Sequence, residues 1–185
     1  MKNRIERIEE ILAYSDPRNK WIKLFFDKVR FKDQVGFYNR IVEGDGKPGV
    51  VILPVKKDLI GLIYLHRYPI DEYVWELPRG FGETENAVVD AMTELREETG
   101  IKVQEKDIYD LGRIYPNSGI LVSSVRLFYA KCDNAVETSI YGKEVVEFKW
   151  FDHKEIIKNI SDGVINDAFT ICALMRAKLK GYLYS

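Results

Sequence analysis

The chain has 185 residues, with 28 Lys and Arg against 29 Asp and Glu, so its formal net charge is −1. This length suits one domain with a core of its own plus a small appendage, and a hydrophobic content of 46% excludes a mostly disordered chain. Balanced charge gives no general attraction to nucleic acid. No apolar run approaches the ~20 residues of a membrane-spanning helix, and the charged N-terminus lacks a signal core. We therefore expect a cytoplasmic protein without nucleic-acid or membrane partners.

The supply of soft metal ligands is small. The chain has two cysteines, Cys132 and Cys172, and two histidines, His66 and His153. These cannot build a Cys/His zinc site. Any bound metal must sit mainly on carboxylates, which points to magnesium, manganese or calcium.

The N-terminal segment predicts one helix and two strands. Ile5, Ile8 and Leu12 recur at helical spacing, which predicts a short amphipathic helix over residues 3–13. The aromatic and β-branched segments 21–31 and 35–42 predict two antiparallel strands around a polar turn.

The rest of the chain alternates between strand and helix patterns. Strands are predicted over 50–55, 59–68, 73–77, 108–115, 122–131 and 145–151, and helices over 84–99, 153–160 and 164–180. This mixture predicts a mixed sheet with helices on both faces, in an α/β or α+β layered domain.

The helix predicted over 84–99 has an unfavourable charge pattern. Glu94, Glu97 and Glu98 stand at i, i+3 and i+4, so their carboxylates converge on one side. Like charges at this spacing cost ~0.2–0.5 kcal/mol per pair. Glu97 and Glu98 also sit at the C-terminal end, where the helix dipole is negative. A divalent cation held on hard oxygen ligands is the natural compensation, although a solvated acidic face is the plain alternative.

The glycine-rich loop before this helix makes the pattern specific. The stretch from Gly80 to Ile101 resembles the Nudix box, which reads Gly, five residues, Glu, seven residues, Arg-Glu, an aliphatic, any residue, Glu-Glu, any residue, Gly and an aliphatic. The positions that match the box from its first glutamate onward are Glu85, Glu94, Leu95, Glu97, Glu98, Gly100 and Ile101. The preceding residues 75–80 resemble the family's strand that leads into the box.

Two departures from the box bear on activity. Gly80 is separated from Glu85 by four residues instead of five, and Thr93 stands where the box has arginine. In the family that arginine helps to position the acidic residues. Its replacement implies either a weakened metal site or substitution by Arg96 or Arg79 from another direction. Because all three acidic positions are kept, we expect an active enzyme.

Further matches are similar to the ADP-ribose pyrophosphatase branch of the family. Pro116 follows Gly100 by sixteen residues, within a Tyr-Pro-Asn-Ser-Gly segment that resembles the branch's proline loop. Arg67-Tyr68-Pro69 and the segment 162–168 also resemble its sequences.

The resemblance implies a Nudix-like α/β/α sandwich over residues 46–185, with residues 1–45 as an N-terminal appendage of helix and hairpin. It implies hydrolysis of a nucleoside diphosphate linked to another group, such as ADP-ribose to AMP and ribose 5-phosphate. Glu94, Glu97 and Glu98, helped by the backbone carbonyl of Arg79, would bind Mg²⁺, with Mn²⁺ as a possible substitute.

The resemblance also implies roles outside the metal site. The general base of the branch lies on a later loop, where Glu144 is the leading candidate and Glu137 and Glu147 are the others. Residues implied at the substrate are Arg67, Arg79, Glu76, Gly80, Gly82 and Pro116. The aromatic segment 21–42 matches strands that pair between subunits in this branch, which predicts a homodimer; a hairpin that caps its own subunit is the alternative.

Two other functions stay open at this point. Thr93 and the short loop would suit a non-catalytic Nudix fold that binds a nucleotide or a partner protein. A Nudix hydrolase could also act on another substrate, such as a nucleotide sugar, a dinucleoside polyphosphate, an mRNA cap or an oxidised nucleotide.

Overall fold

The computed structural model describes residues 4–138 and 142–183, without the side chain of Lys20. The chain divides into two units. The N-terminal unit comprises residues 1–48 and 115–124, and the sheet unit comprises residues 49–114 and 125–185. The division into domains 1–45 and 46–185 stays a prediction.

The N-terminal unit is an antiparallel sheet built on one long strand. Its strands are β1 (Glu6–Glu9), β2 (Leu12–Asp16), β3 (Asn19–Phe31) and β4 (Gln34–Glu43). Strand β3 pairs with β4 from Ile22 to Phe31 and with β1 and β2 through different segments. The predicted strands 21–31 and 35–42 therefore form the hairpin expected of them.

The helix predicted over residues 3–13 is wrong, because the described part of that segment forms β1 and β2. The apolar side chains that suggested a helix, Ile5, Ile8 and Leu12, are all exposed in the chain. A short helix with no surface to pack on is marginal in water. The edge of β3 instead offers backbone hydrogen bonds, such as Phe26 N to Ile11 O at 2.8 Å.

The segment 115–124 closes the N-terminal unit from a distance in sequence. The amide of Ile41 donates to Ile120 O at 2.8 Å, and Val122 N donates to Ile41 O at 2.9 Å. The hydroxyl of Ser123 donates to the Glu43 carboxylate.

The sheet unit contains the predicted mixed sheet. Its strands are β5 (Gly49–Lys56), β6 (Leu59–Arg67), β7 (Glu72–Glu76), β8 (Arg79–Phe81), β10 (Ile108–Ile114), β11 (Val125–Lys131) and β13 (Val145–Asp152). They lie in the order β10-β11-β5-β6-β13, with β7 beside β6 and β8 beside β5. Strands β5 and β11 are parallel, and the other pairs are antiparallel. The short strands β9 (Ile101–Lys102) and β12 (Val136–Glu137) pair separately. The three shortest strands, β8, β9 and β12, were not predicted, because two or three residues are too few to show an alternating hydrophobic pattern.

Three helices cover the two faces of the sheet: α1 (Ala87–Thr99), α2 (His153–Ser161) and α3 (Ala168–Leu179). Alternate residues of β5 serve the two faces. Val50 and Ile52 lie in one core cluster with Ala91 and Leu95 of α1. Val51 and Leu53 lie in the other cluster, with residues of α2 and α3. The α/β/α sandwich is thereby confirmed.

Two helices begin later than predicted because a polar side chain caps each of them. Helix α1 begins at Ala87 instead of 84, where Asn86 Oδ1 accepts from Val88 N at 3.0 Å. Helix α3 begins at Ala168 instead of 164, where Asp167 accepts from Thr170 N. Within the described ranges, no helix has both the length and the apolar character needed to cross a membrane.

Candidate active site

The site is built at the C-terminal end of α1. Ala91 and Leu95 are buried in the core below the helix. The helical period then places Glu94 and Glu98 at the edge of that buried face, where both are half-buried, while Glu97 is exposed. Gly100 ends the helix in the left-handed conformation, at a φ of 73°.

The backbone of Arg79 meets one of these carboxylates directly. Its amide donates to Glu98 Oε2 at 2.8 Å. The carbonyl of the same peptide group points in the opposite direction, since Ile52 N donates to Pro78 O at 3.0 Å. In an antiparallel ladder the N–H and C=O of one residue point to the same side. The carbonyl of Arg79, predicted as a metal ligand, therefore faces the same side as Glu98.

Gly80 gives the second carboxylate its place. A methyl group at this position would lie 2.0 Å from Glu94 Oε1 and 2.2 Å from Glu94 Cδ. Only glycine lets the backbone of β8 and the side chain of Glu94 come this close. Gly80 therefore contributes to the site by leaving room for the Glu94 carboxylate.

The negative charge of these two glutamates is poorly compensated. Burial, followed by the charges of Glu97, Glu83 and Asp90, raises the pKa of Glu94 to about 7. Burial also raises the pKa of Glu98 to about 7, against the opposing effect of the Arg79 amide. Such perturbed carboxylates in one place indicate a functional site, and a bound cation would relieve the repulsion.

The donors fit a hard cation, although they are not gathered as a finished ligand set. Within residues 4–138 and 142–183, no three His, Cys, Asp or Glu side chains are grouped to hold a metal ion. Glu97 instead accepts from Arg96 Nη2 at 2.9 Å. The available donors are carboxylate and carbonyl oxygens, which suit Mg²⁺ or Mn²⁺. Binding would draw Glu97 away from Arg96.

The two candidate substitutes for the missing box arginine act on different glutamates. Arg96 reaches Glu97 through its side chain, and Arg79 reaches Glu98 through its backbone. Neither is among the influences on Glu94, all of which raise its pKa. Thr93 therefore leaves Glu94 as the least compensated carboxylate of the three.

Beside the glutamates lies a buried ion cluster that we call the Arg67–Glu76–Arg79 cluster. The Glu76 carboxylate is 1% exposed and accepts from both guanidinium groups. Arg79 Nε donates to it at 2.8 Å, and Arg67 Nε donates at 3.0 Å. The two arginines hold the pKa of Glu76 below its usual range although burial opposes them. Asp167 Oδ1 lies 4.0 Å from Arg79 Nη2, so two arginines face two carboxylates next to Glu98.

This cluster changes the interpretation of Glu76. Sequence analysis placed Glu76 at the substrate, but its oxygens are covered by Arg67 and Arg79. The side chains that remain partly exposed are those of the two arginines. Glu76 is therefore placed to hold the arginines, which could themselves face an anionic ligand.

Other predicted residues lie at different places. Gly82, between β8 and α1, is half-buried, and Pro116 is exposed in the N-terminal unit. Among the base candidates, Glu137 Oε1 accepts from Lys56 Nζ at 2.7 Å, while Glu147 is exposed on β13. Glu144 is also exposed, just before β13.

The loop that carries Glu144 returns to the end of α1. Thr138 N donates to Gly100 O at 3.1 Å. A methyl at Gly142 would lie 3.4 Å from Glu97 O. Both ends of the segment 139–141, which itself lies outside the described residues, are thus beside the glutamate-bearing end of the helix.

Sequence analysis missed three polar residues around the site. Asp90, 6% exposed, accepts from Thr84 N at 3.0 Å and so fixes the loop before α1. Thr170 and Asp167 of α3 reach Leu77 and Arg79. An Asp three residues before a Thr, as at 167–170, is typical of a helix cap. The helix predicted from residue 164 places Asp167 inside the helix, so its capping role was not predicted.

Comparisons with known proteins agree with this geometry. Residues 46–170 match the family model of the NUDIX domain. A solved structure described as "Crystal structure of ADP compounds hydrolase" is similar in fold, with a TM-score of 0.79 and 17% sequence identity. The similarity covers 96% of this chain and 95% of that one. Among curated proteins, none matches the sequence significantly.

We predict that Gly80→Ala removes activity with little loss of stability. The added methyl would overlap the Glu94 carboxylate, which can swing aside but then leaves its position. A displacement of about 1 Å at a reacting centre costs on the order of 10²-fold in rate. The measurement is kcat for metal-dependent hydrolysis, together with Tm. In a Glu94→Ala background the same glycine change should cost no more, and additive losses would contradict this account.

We predict that the metal-free protein becomes less stable as pH rises from 5 to 8. Glu94 and Glu98 have a pKa of about 7 in the folded chain against 4.5 for the free group, so the folded state holds protons more tightly. That stabilisation is complete below about pH 4.5 and is lost as the pH passes 7. Thermal melts in the presence of a chelator should show this loss of stability. Mg²⁺ at about 10 mM should raise Tm more at pH 8 than at pH 6. Melting curves of Glu98→Gln that keep the full pH dependence would count against this assignment.

Proposed function

Because the chain belongs to the NUDIX domain family, we propose that it is a Mg²⁺-dependent enzyme that hydrolyses the pyrophosphate bond of a nucleoside diphosphate linked to another group. The leading substrate is ADP-ribose, with AMP and ribose 5-phosphate as products. One observation carries the proposal: Glu94 and Glu98, each with a pKa raised to about 7, lie against the backbone of β8, Glu94 at Gly80 and Glu98 at Arg79.

The choice of an ADP compound has two supports. The solved structure with a matching fold is described as an ADP compounds hydrolase, and the similarity covers nearly all of both chains. The sequence around Pro116 and Arg67 resembles the ADP-ribose pyrophosphatase branch.

Each residue then has a separate task. When bound, Mg²⁺ would neutralise the phosphate oxygens and lower the pKa of the attacking water. Glu94, Glu97, Glu98 and the carbonyl of Arg79 would supply the oxygen ligands. The partly exposed guanidinium groups of the Arg67–Glu76–Arg79 cluster would hold the anionic pyrophosphate beside them, because guanidinium groups bind phosphate through charge-assisted hydrogen bonds.

Glu144 is the proposed general base. Its loop meets the end of α1 at Thr138 and Gly142, and Glu144 follows Gly142 just before β13. A positioned carboxylate that takes a proton from water contributes ~10²–10⁴-fold. Glu137 is a weaker candidate, because its carboxylate is already bonded to Lys56.

A non-catalytic nucleotide-binding role is the second candidate. Thr93 in place of the box arginine favours it, as does the pairing of Glu97 with Arg96. In that case a nucleotide would raise Tm without being cleaved.

We further propose that the N-terminal sheet forms a homodimer. Residues on alternate positions of β3 and β4 share one face of the sheet. Ile22, Phe26, Val35 and Phe37 are exposed there, and the rings of Phe26 and Phe37 stack at 4.7 Å. We define this as the outer face. Contiguous exposed apolar surface of this kind is typical of an interface, and a second copy would cover it.

A cytoplasmic location stays a prediction.

A substrate panel tests the activity. Purified protein is assayed against ADP-ribose, nucleotide sugars, dinucleoside polyphosphates and oxidised nucleotides, with and without Mg²⁺. We expect Mg²⁺-dependent turnover, fastest on ADP-ribose. Glu97→Gln should abolish it without lowering the metal-free Tm, because the side chain is exposed. Glu105→Gln, an exposed glutamate outside the site, is the control. Absence of turnover on every compound would refute the enzymatic proposal, and a nucleotide-induced Tm shift would then favour the binding role.

The dimer is tested by light scattering after size-exclusion chromatography. We expect the wild type at twice the chain mass and the double variant Val35→Lys, Phe37→Lys as a monomer, since buried charges oppose association. Val136→Lys places the same charge on an exposed valine of the sheet unit and should remain dimeric. A monomeric wild type would support the hairpin that caps its own subunit.

A further inference from the structure

The N-terminus of α3 is joined to the strand that carries Arg79 by a chain of hydrogen bonds. Leu77 N donates to Thr170 Oγ1 at 3.0 Å, and that hydroxyl donates to Asp167 Oδ2 at 2.7 Å. A hydroxyl has one proton to donate, so each bond fixes the direction of the other. Thr170 is fully buried.

This connection goes beyond ordinary helix capping. Asp167 also accepts from Thr170 N at 2.8 Å, which is the usual cap bond. The cap itself does not need a bond to Leu77. The pairing of β7 with β6 ends at Glu76, so the buried amide of Leu77 would lack a ladder partner. Thr170 meets that need.

The same helix end also contacts the side chain of Arg79. Its guanidinium lies over the ring of Phe169, with Cζ at 4.7 Å from the centroid, and Nη2 lies 4.0 Å from Asp167 Oδ1. On the other side of the segment, Pro78 O is held by Ile52 of β5. Residues 77–79 are therefore fixed between the central sheet and α3.

Arg79, the last residue of this segment, is the one that bonds to Glu98. Arg79 N donates to Glu98 Oε2, and its carbonyl faces the same side. A shift of residues 77–79 would move both groups together. The fixed direction of the Arg79 peptide thus depends on a helix that contributes no carboxylate to the metal-binding set.

We propose that Thr170 and Asp167 are positioning residues for the metal side of the active site. They hold Leu77 and Arg79 so that the Arg79 peptide presents its amide to Glu98 and its carbonyl to the cation. This inference rests on the proposed function for the role of Glu98 and of the Arg79 carbonyl. The hydrogen-bond chain itself is a property of the metal-free protein.

Amide hydrogen exchange on the full-length, metal-free protein gives the first test. Thr170→Val keeps the shape of the side chain and removes the hydroxyl, whereas Thr170→Ser keeps it. Rates are normalised to the amide of Leu53 in the central strand, which removes changes in global stability. In Thr170→Val we expect exchange at Arg79 to rise about tenfold or more, since its bond to Glu98 is no longer held in place. Thr170→Ser should exchange as the wild type does.

A matched control separates positioning from capping. Asp152 caps α2 through Glu155 N at 2.8 Å, as Asp167 caps α3, but it lies outside the site. Asp152→Ala should lower Tm and leave both Arg79 exchange and activity unchanged. If Thr170→Val does not fold, Asp167→Asn decides, because asparagine can still cap the helix while its neutral amide no longer attracts Arg79.

Magnesium titration gives the second readout. The Mg²⁺ concentration that produces half of the maximal Tm shift should rise about tenfold in Thr170→Val, because a misplaced ligand peptide weakens the site. On a hydrolysed substrate, kcat should fall more than KM rises. If the wild type hydrolyses nothing, the proposed function fails alone, and Arg79 exchange and Mg²⁺ titration still decide the positioning role. Wild-type values of both in Thr170→Val, even with a lower Tm, would overturn it.

Discussion

The arrangement of the site follows from one electrostatic constraint: two partly buried carboxylates are held at the negative end of a helix. Glu94 and Glu98 repel one another, and burial opposes their charge. A helix optimised for stability alone would carry cations at this end. The surrounding structure accepts the cost and fixes the carboxylates against the backbone of β8 at Gly80 and Arg79. Local conflict of this type is expected where function outweighs stability.

Positive charge nearby offsets the charge of Glu98 only in part and is not among the influences on Glu94. Arg67 and Arg79 are tied by their side chains to Glu76. Arg79 touches Glu98 through its peptide group, which has a dipole but no net charge. The glutamates and the guanidinium groups therefore lie side by side, and each arginine side chain stays paired with an acidic partner other than Glu98. The proposed function, with a metal ion and a pyrophosphate in one site, needs anionic and cationic groups arranged in this way.

The sequence predicted the sheet unit well because its signals are local and strong. The continuous apolar run of β5 indicated a strand buried on both faces, and the box pattern located α1 and its glutamates. The N-terminal helix failed because a weak helical period was outweighed by backbone pairing with β3, which no local pattern reveals. The role of Thr170 could not be predicted, since its partner Leu77 lies 93 residues away in sequence. The role of Glu76 depends on the side-chain directions of Arg67 and Arg79, which are near in sequence but which no local pattern reveals. Residue types and their spacing identified the candidate site residues. The side-chain contacts in the folded chain show which of those side chains are exposed and which are covered by partners.

The path of the chain between the two units has a consequence for how the protein is synthesised and folds. After β10 the chain leaves the sheet unit, supplies residues 115–124 to the N-terminal unit, and returns as β11. Strand β4 can therefore bond to Ile120 and Val122 only after most of the central sheet has been translated. Long-range pairing of this kind slows folding and makes it cooperative across the chain. The N-terminal sheet emerges from the ribosome first but must wait for its last segment, and its exposed aromatic strands need protection from aggregation during that interval.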